Sequence, residues 1–565
     1  MSTRNMILWI SGILILFVYF VNLGVNDIWN PNEGYYADAV REMFKRGNIF
    51  DYFFNQNHRF NKPPVTYWSI GLSVLAFGLN EWAIRLPMIL FAIGTVIYTY
   101  KIGKRVYNSS VGLWAAIATS LSPLFLSNTR YATPEVPLAF FFTFTMYLFI
   151  KAYQAKEIKH WLAFYVAWGF TVLTKGYPYF VLVGGIMMVY LFVEHNFKIK
   201  TLFKALPKYG VYWGYPLAFV IGMSWIAYSY IKFGDDFLRI LNMETFERAF
   251  TYQANLFEEI LFFPSVILWG FLPYSFVLFY VVVRYLKKLE WIKQHAFGLA
   301  WFFVFLVVFS IAKFKLPTYF IQANGGMAIL VGYYLTQWKP SNRFNRNFGL
   351  LCYVLPGILA TFLTLYVVNL FNLNIIFYVI AALPFILWIV VKFTNFWILG
   401  KEENSTPIWQ YNKVFPFVGL LFLTLIFSWQ VLAKIEPLRP FKAIGETIKK
   451  TVLDDEIPLI IQQRFLYNMP YYASRKVVGD IDLVDVIDYY FTYDKMLALV
   501  KDRDLKYFPE AKVVWNGELY KRDSEAVFMS FISKHAQYLN GNKQGFEHLS
   551  LIWLDRTSTS NSIKK

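Results

Sequence analysis

Residues 29–38 read WNPNEGYYAD, where a long apolar run ends and a carboxylate, Glu33, and an amide, Asn32, stand among Trp29, Tyr35 and Tyr36. Asp38, Lys62, Arg130, Glu135, Lys175, Glu244, Arg248, Lys313, Lys315 and Tyr319 also fall at the ends of apolar runs or in the loops beside them. Ionisable groups at membrane depth are costly and are retained for binding or chemistry. Carboxylates beside several cations suit one kind of reaction. The cations hold phosphate oxygens, and a carboxylate takes the proton of an attacking hydroxyl as general base. A phosphate-bearing lipid reacting with an acceptor outside the membrane needs that set.

Each of these residues also has a plainer reading. Lys62 and Lys315 would snorkel to headgroups. Glu33 would solvate a loop or pair with a nearby cation. Arg130 and Glu135 would close a tight turn as an ion pair, and Tyr319 would join the interfacial aromatic belt. The 6 His residues are scattered, with none at helical spacing from another His or from the single Cys352, so no metal constellation emerges. No P-loop or GxGxxG opens a helix. "VGDID" in the tail is acidic but lacks the flanks of a nucleotide-sugar site.

The elements that must position these residues follow from composition. The chain has 565 residues, 57% hydrophobic, 21% aromatic and 16% charged, less charge than the roughly 25% of a soluble domain. Its mean hydropathy is +0.40. Apolar segments at 6–25, 84–100, 111–128, 136–152, 161–174, 177–193, 209–231, 263–283, 296–312, 316–336, 348–371, 374–396 and 414–433 give about 13 membrane spans. The first reads as an uncleaved span, because its apolar run is long and lacks a small-residue cleavage site. The net charge of +18 gathers in short loops, which marks topology and lipid headgroups rather than nucleic acid.

Those loops set the orientation. "KIGKRVYN", "KAYQAKEIKH", "FKIKTLFKALPK", "RYLKKLEWIKQ" and "KPSNRFNRN" share the cytoplasmic side with the N-terminus only if residues 63–80 do not cross. That segment is therefore read as an interfacial helix. Residues 26–83 then form one outer loop, and the polar tail from 434 onward also lies outside. Within the tail, "PFKAIGETIKKTVL" has a helical pattern, while "KVVGDIDLVDVIDYYF" and "AKVVWNGELYKRD" mix β-rich and helical runs, which predicts a small α/β domain. The fold class is thus an α-helical polytopic membrane protein, residues 1–433, with an outer α/β domain over 434–565.

At these residues the chain resembles a known family. "WNPNEGYYADAVREMFKRGN", "FNKPPVTYW", "EWAIRLP", "RYATPEVPLAFFF", "GFTVLTKGYPYFVLV" and "FSIAKFKLPTYFIQANGGMAIL" follow the order of motifs in the lipid A 4-amino-4-deoxy-L-arabinose transferases. These belong with the protein O-mannosyltransferases among the C-type (GT-C) glycosyltransferases. The likeness spans about residues 1–340. It implies a bacterial inner-membrane enzyme that moves a sugar from a polyprenyl-phosphate carrier to a membrane lipid or other periplasmic acceptor (lipid A-like glycolipid, glycan or protein), inverting the anomeric centre. Lys62, Tyr319 and Arg248 would contact the lipid phosphate, with Lys175, and Lys315 beside it, adding positive field.

The chain departs from that pattern in places. The family's Asp-Glu pair is Asn32-Glu33, and its second acidic Asp is Glu135. The Glu before the loop lysine is Asn61, and a Glu-His pair is Glu244-Thr245. An amide cannot act as a general base, so either Glu33 takes that role or Asn32 only positions the acceptor, with Glu135 as the nearest substitute. The altered residues are those the family associates with a metal, so no metal ligands are assigned, and a divalent ion remains an open question of cofactor. Two other readings stand beside the transferase. A lipid or solute transporter would also have many spans with buried charge, although the halves show no repeat symmetry. A non-catalytic assembly protein would follow if Asn32 marks lost activity. Binding and transfer of a polyprenyl-phosphate sugar separates the three.

Overall fold

The computed structural model describes residues 3–247, 256–339, 341–398, 409–522, 525 and 528–557. Every one of the expected apolar segments contains helix. α1 (Thr3–Phe20) is followed by α2 (Asn32–Arg46), α3 (Val65–Phe77) and α4 (Glu81–Val106). Among the described residues, 6 helices are long and apolar enough to cross a membrane by length and composition, and up to 8 if each of two bent pairs counts as one span. One pair bends by 64° between Ser109–Ser120 and Pro123–Thr129, where Pro123 can open a helix but cannot continue one. The segment expected at 316–336 opens with a 3-10 turn, Pro317–Ala323, before its α-helix Asn324–Gln337.

The outer loop is folded. α3 has 13 residues, about 20 Å of helix against a bilayer core of about 30 Å. It buries Tyr67, Ile70 and Val74 while the apolar Leu72, Leu75 and Phe77 stay exposed. Two short strands, β1 (Phe53–Phe54) and β2 (Asn57–His58), pair antiparallel between α2 and α3. α2 ends at Gly47, whose φ of 63° lets its N–H reach the Met43 and Phe44 carbonyls.

The tail carries a five-stranded sheet: β3 (Leu459–Gln462), β4 (Val477–Ile481), β5 (Lys495–Lys501), β6 (Lys512–Tyr520) and β7 (Phe546–Asp555), in the order β4-β3-β5-β7-β6. β3 pairs parallel with β4 and β5, while β7 runs antiparallel to β5 and β6. Helix Phe441–Thr451 precedes β3, Leu483–Thr492 lies between β4 and β5, and Phe528–Leu539 between β6 and β7. This sheet does not stand apart from the outer loop. Tyr36, Val40 and Tyr67 share one buried apolar cluster with Leu459, Leu497 and Leu551. Contact is closest at Gly34, where an added Cβ would lie 2.4 Å from the Tyr467 carbonyl oxygen; only glycine lets the two backbones approach so nearly.

A charged clamp seals the same junction. Buried Arg439 donates to Glu525 at 2.6 and 3.0 Å and to Glu436 at 2.9 Å, and its guanidinium lies 3.8 Å from the Trp29 ring centre. Glu525 and Glu436 accept in turn from the Asn30 and Asp27 backbone N–H groups, at 2.8 and 2.7 Å. Asp27 stands beside Glu436, and burial first, then that neighbour's charge, push its carboxyl up to about 7. With the folded value above the unfolded one of about 3.9, the folded state binds the extra proton. Asp27's stabilising contribution is full below pH about 4 and is lost as pH rises through 7, by roughly 1.4 kcal/mol per unit in between. Asp27→Asn keeps an acceptor for the Lys442 N–H (2.8 Å) and cannot ionise. Melting of the detergent-solubilised variant should therefore exceed the parent's above pH 7, with the gap shrinking steadily toward pH 5.

Candidate active site

Glu33 sits in the first turn of α2, fully buried. Its Oε1 accepts from Arg85 Nε and from the Ala132 N–H, both at 2.9 Å. Its Oε2 accepts from Arg85 Nη2 at 2.7 Å and the Trp29 N–H at 2.9 Å. A carboxylate offers about four lone-pair directions, and here all are taken. The arrangement speaks against the role of proton acceptor expected for Glu33 and matches its plainer reading, a pair with a nearby cation. Asn32, one residue earlier, is exposed.

The carboxylate with room for chemistry is Glu135. It opens the helix Glu135–Ala155 after Pro134, and its Oε2 accepts from Lys175 at 2.7 Å. Its Oε1 has no protein hydrogen bond among the described residues. Lys175 closes the helix Ile158–Lys175, which Gly176, at φ 127°, terminates. The Lys175 ammonium lies 5.4 Å from the Tyr319 ring centre, and Tyr319 stacks on Phe309 at 5.0 Å. Gln322, from the same 3-10 turn as Tyr319, donates to the Glu135 carbonyl at 3.4 Å.

Lys62 pairs with Glu244 at 3.1 Å, both partly shielded from solvent. Burial holds the Lys62 ammonium below its usual range; Glu244 opposes this, while the charges of Lys175 and Arg59 add to it. The Tyr36 hydroxyl is raised well above its usual value, by burial first, and feels the charges of both Arg59 and Glu135. One polar wall thus gathers Lys62, Lys175, Arg59, Glu135 and Glu244 from the outer loop and three other parts of the chain.

Other expected residues have different places. Lys315 donates to the Ala312 carbonyl at 2.7 Å. Arg130 spans to the Val18 and Val21 carbonyls at 2.7 and 2.6 Å, which ties off the end of α1 and leaves Glu135 to Lys175 instead of an Arg130 ion pair. Asp38 is buried against Arg41 at 2.7 Å. Arg248 lies outside the described residues. Two residues of weight were missed, Arg85 and Arg59. An arginine inside the apolar run "EWAIRLPMIL" was a usable signal; Arg59, in the polar stretch "NQNHRFNK", gave none.

The residues do not fit the metal that the family resemblance associates with this region. The Lys62 ammonium, not a metal ion, sits on Glu244, and Asn61 is a neutral amide. Among the described residues no cluster of three or more His, Cys, Asp or Glu could hold one.

Comparison with known proteins agrees with this architecture. Residues 61–226 match the family described as dolichyl-phosphate-mannose-protein mannosyltransferase. An uncharacterized protein of Aquifex aeolicus is 32% identical over 467 residues, 82% of this chain and 86% of that protein. The undecaprenyl phosphate-alpha-4-amino-4-deoxy-L-arabinose arabinosyl transferase 1 of Proteus mirabilis is 24% identical over 517 residues, 87% of this chain and 90% of its own. The crystal structure of ArnT from Cupriavidus metallidurans bound to undecaprenyl phosphate superposes with a TM-score of 0.72 at 18% identity, covering 91% of this chain and 97% of that one. The chain belongs to the aminoarabinose transferase and protein O-mannosyltransferase-like family of C-type glycosyltransferases. It is a multi-pass membrane protein with the C-type fold.

Within that family fold, Glu33 and Arg85 are best read as a structural joint. Removing one partner of a buried ion pair strands the other charge and costs about 3–5 kcal/mol. Glu33→Gln, which keeps part of the hydrogen bonding, should fall at the lower end of that range. A clear drop in melting temperature in detergent is expected. A variant that melts with the parent yet transfers no sugar would instead make Glu33 catalytic.

Proposed function

We propose that this protein transfers a sugar from a polyprenyl-phosphate carrier to an acceptor on a glycolipid, glycan or protein at the periplasmic face of the inner membrane. Residues 1–433 form the membrane part and 434–565 the outer part that roofs the site. The observation that carries the reading is the half-satisfied Glu135 held by Lys175, whose charge in turn reaches Lys62. The names of the Proteus and Cupriavidus relatives, which refer to undecaprenyl phosphate, support the choice of donor. Membership of a transferase family gives the transporter reading no support.

The chemistry then divides among the chain's own residues. Lys62 and Lys175, with Tyr319 beside them, hold the carrier's phosphate oxygens as fixed cations and a fixed hydroxyl. The acceptor oxygen attacks the anomeric carbon, its proton passes to Glu135 Oε1, and the bond from that carbon to the phosphate oxygen breaks. The polyprenyl phosphate leaves with its negative charge, which the two ammonium groups already face. Lys175 also keeps Glu135 in position. Asn32 is outside this set, so its amide in place of an acid leaves the proton path intact.

Two substitutions separate binding from chemistry. Lys62→Ala should weaken undecaprenyl-phosphate binding by about tenfold or more, the worth of one charge-assisted contact. Glu135→Gln should bind the carrier as the parent does and lower transfer by about 100-fold, the usual contribution of a general base. Both are read by carrier titration and by sugar transfer in the same detergent preparation. Parental transfer by Glu135→Gln would remove Glu135 from the proton path.

A further inference from the structure

The loop at 195–209, whose basic residues predict a cytoplasmic place, is bent into an elbow. The membrane helix Pro178–Glu194 turns by 116° into Ile199–Tyr209, which lays the second arm closer to the membrane plane than to its normal. His195 and the Tyr209 hydroxyl buckle the two ends at 2.9 Å, and Lys293 of the next basic loop donates to Asn196 at 2.6 Å. At the bend, Asn196 and Phe197 take φ of 55° and 61°. Asparagine tolerates that region, whereas a bulky aromatic is strained there. Phe197 meets Phe192 edge to face at 5.4 Å and remains 39% exposed, so burial within the protein does not offset the strain.

The second arm has three faces. Leu202, Ala205 and Leu206 are buried in the protein. Ile199 and Phe203, four residues apart, share the neighbouring edge and stay 59% and 55% exposed. Lys200 and Lys204 stand one position further round, with Lys198 and Lys208 near the arm's ends, all exposed. None of these four lysines meets a carboxylate among the described residues. Glu194, the acid nearest in sequence, accepts from the Tyr153 hydroxyl at 2.9 Å. At the outer face, by contrast, Lys62, Lys175, Lys232 and Lys442 all pair with acids.

We infer that the elbow is a binding site for anionic phospholipid of the cytoplasmic leaflet, with Lys200 and Lys204 on headgroup phosphates and Phe197, Ile199 and Phe203 among the acyl chains. The uncovered apolar edge continues from a helix that itself crosses the bilayer, so lipid is the surface it meets. Lysine stems lie along that edge and carry their charge to headgroup level, where an anionic surface attracts each one. A zwitterionic headgroup would instead set its own cation beside four lysines that bring no acid to receive it. Acyl chains also supply the apolar contact that strained Phe197 lacks in the protein.

The test reads the lipid at this site alone. Phe203→Cys in the full chain carries a bimane fluorophore, native Cys352 being buried. The labelled protein is reconstituted in mixtures of phosphatidylglycerol and phosphatidylcholine, one of them with brominated chains. Bromine quenches only a fluorophore close to it, so quenching gives the relative affinity of the two lipids at the elbow. Phosphatidylglycerol should be favoured about tenfold, since each lysine near an anionic surface is worth roughly fivefold. Adding Lys200→Gln and Lys204→Gln should cut that preference to about twofold or less. The same label on Val220→Cys, 68% exposed on the helix Val211–Phe233, should show no preference. Should the Phe203 variant not fold, Ile199→Cys on the same edge serves as reporter. A label that neither brominated lipid quenches, equal affinities at the elbow, or a preference that survives loss of both lysines overturns the inference. So does a preference of the same size at Val220, which would make it a property of the whole membrane surface.

Discussion

The ion pair between Glu33 and Arg85 governs where everything else in the outer half of this protein can be. Both side chains are withdrawn from water, at 0% and 2% exposure, a situation tolerable only when every donor and acceptor finds a partner. Arg85 meets that demand by reaching the Leu23, Asn26 and Asp27 carbonyls. Glu33 meets it through the Trp29 and Ala132 N–H groups. One pair therefore ties together the exit of α1, the starts of α2 and α4, and the turn that leads to Glu135. Little of the outer loop could shift without stranding a charge.

The tail completes this arrangement. Arg439 and Glu525 fasten residues 27–30 from the other end of the chain, and the shared apolar cluster packs the sheet against α2 and α3. Apolar burial supplies cohesion without direction, while the charged clamp and the glycine contact at Gly34 supply register. The junction between the outer loop and the tail is thus built by residues more than 400 positions apart, such as Asn26 and Glu436.

Two glutamates, Glu33 and Glu135, show how environment assigns roles. Glu33 is saturated by four donors and holds structure. Glu135 is held by one, leaving an oxygen open beside the Lys175 ammonium. Both lie in the first turn of a helix after a proline, so local sequence context does not separate them. Their difference is a count of lone pairs occupied, and that count is made by groups distant in sequence.

What the sequence determined by itself is what local composition can encode. Apolar runs of sufficient length specify the helices, basic loops imply a sidedness, and the mixture of β-rich and helical runs after 434 foretells the sheet-bearing tail, because each signal lies within one segment. The set of residues at the polar wall was also largely readable, Lys62, Glu135, Lys175, Glu244 and Tyr319 among them, because charge at the ends of apolar runs is conspicuous. Which residue does what was not. That Arg85 would consume Glu33 and that Lys175 would take Glu135 depend on partners 52 and 40 positions away. Pairing of buried charges is a property of three-dimensional proximity, and only the tertiary structure decided it.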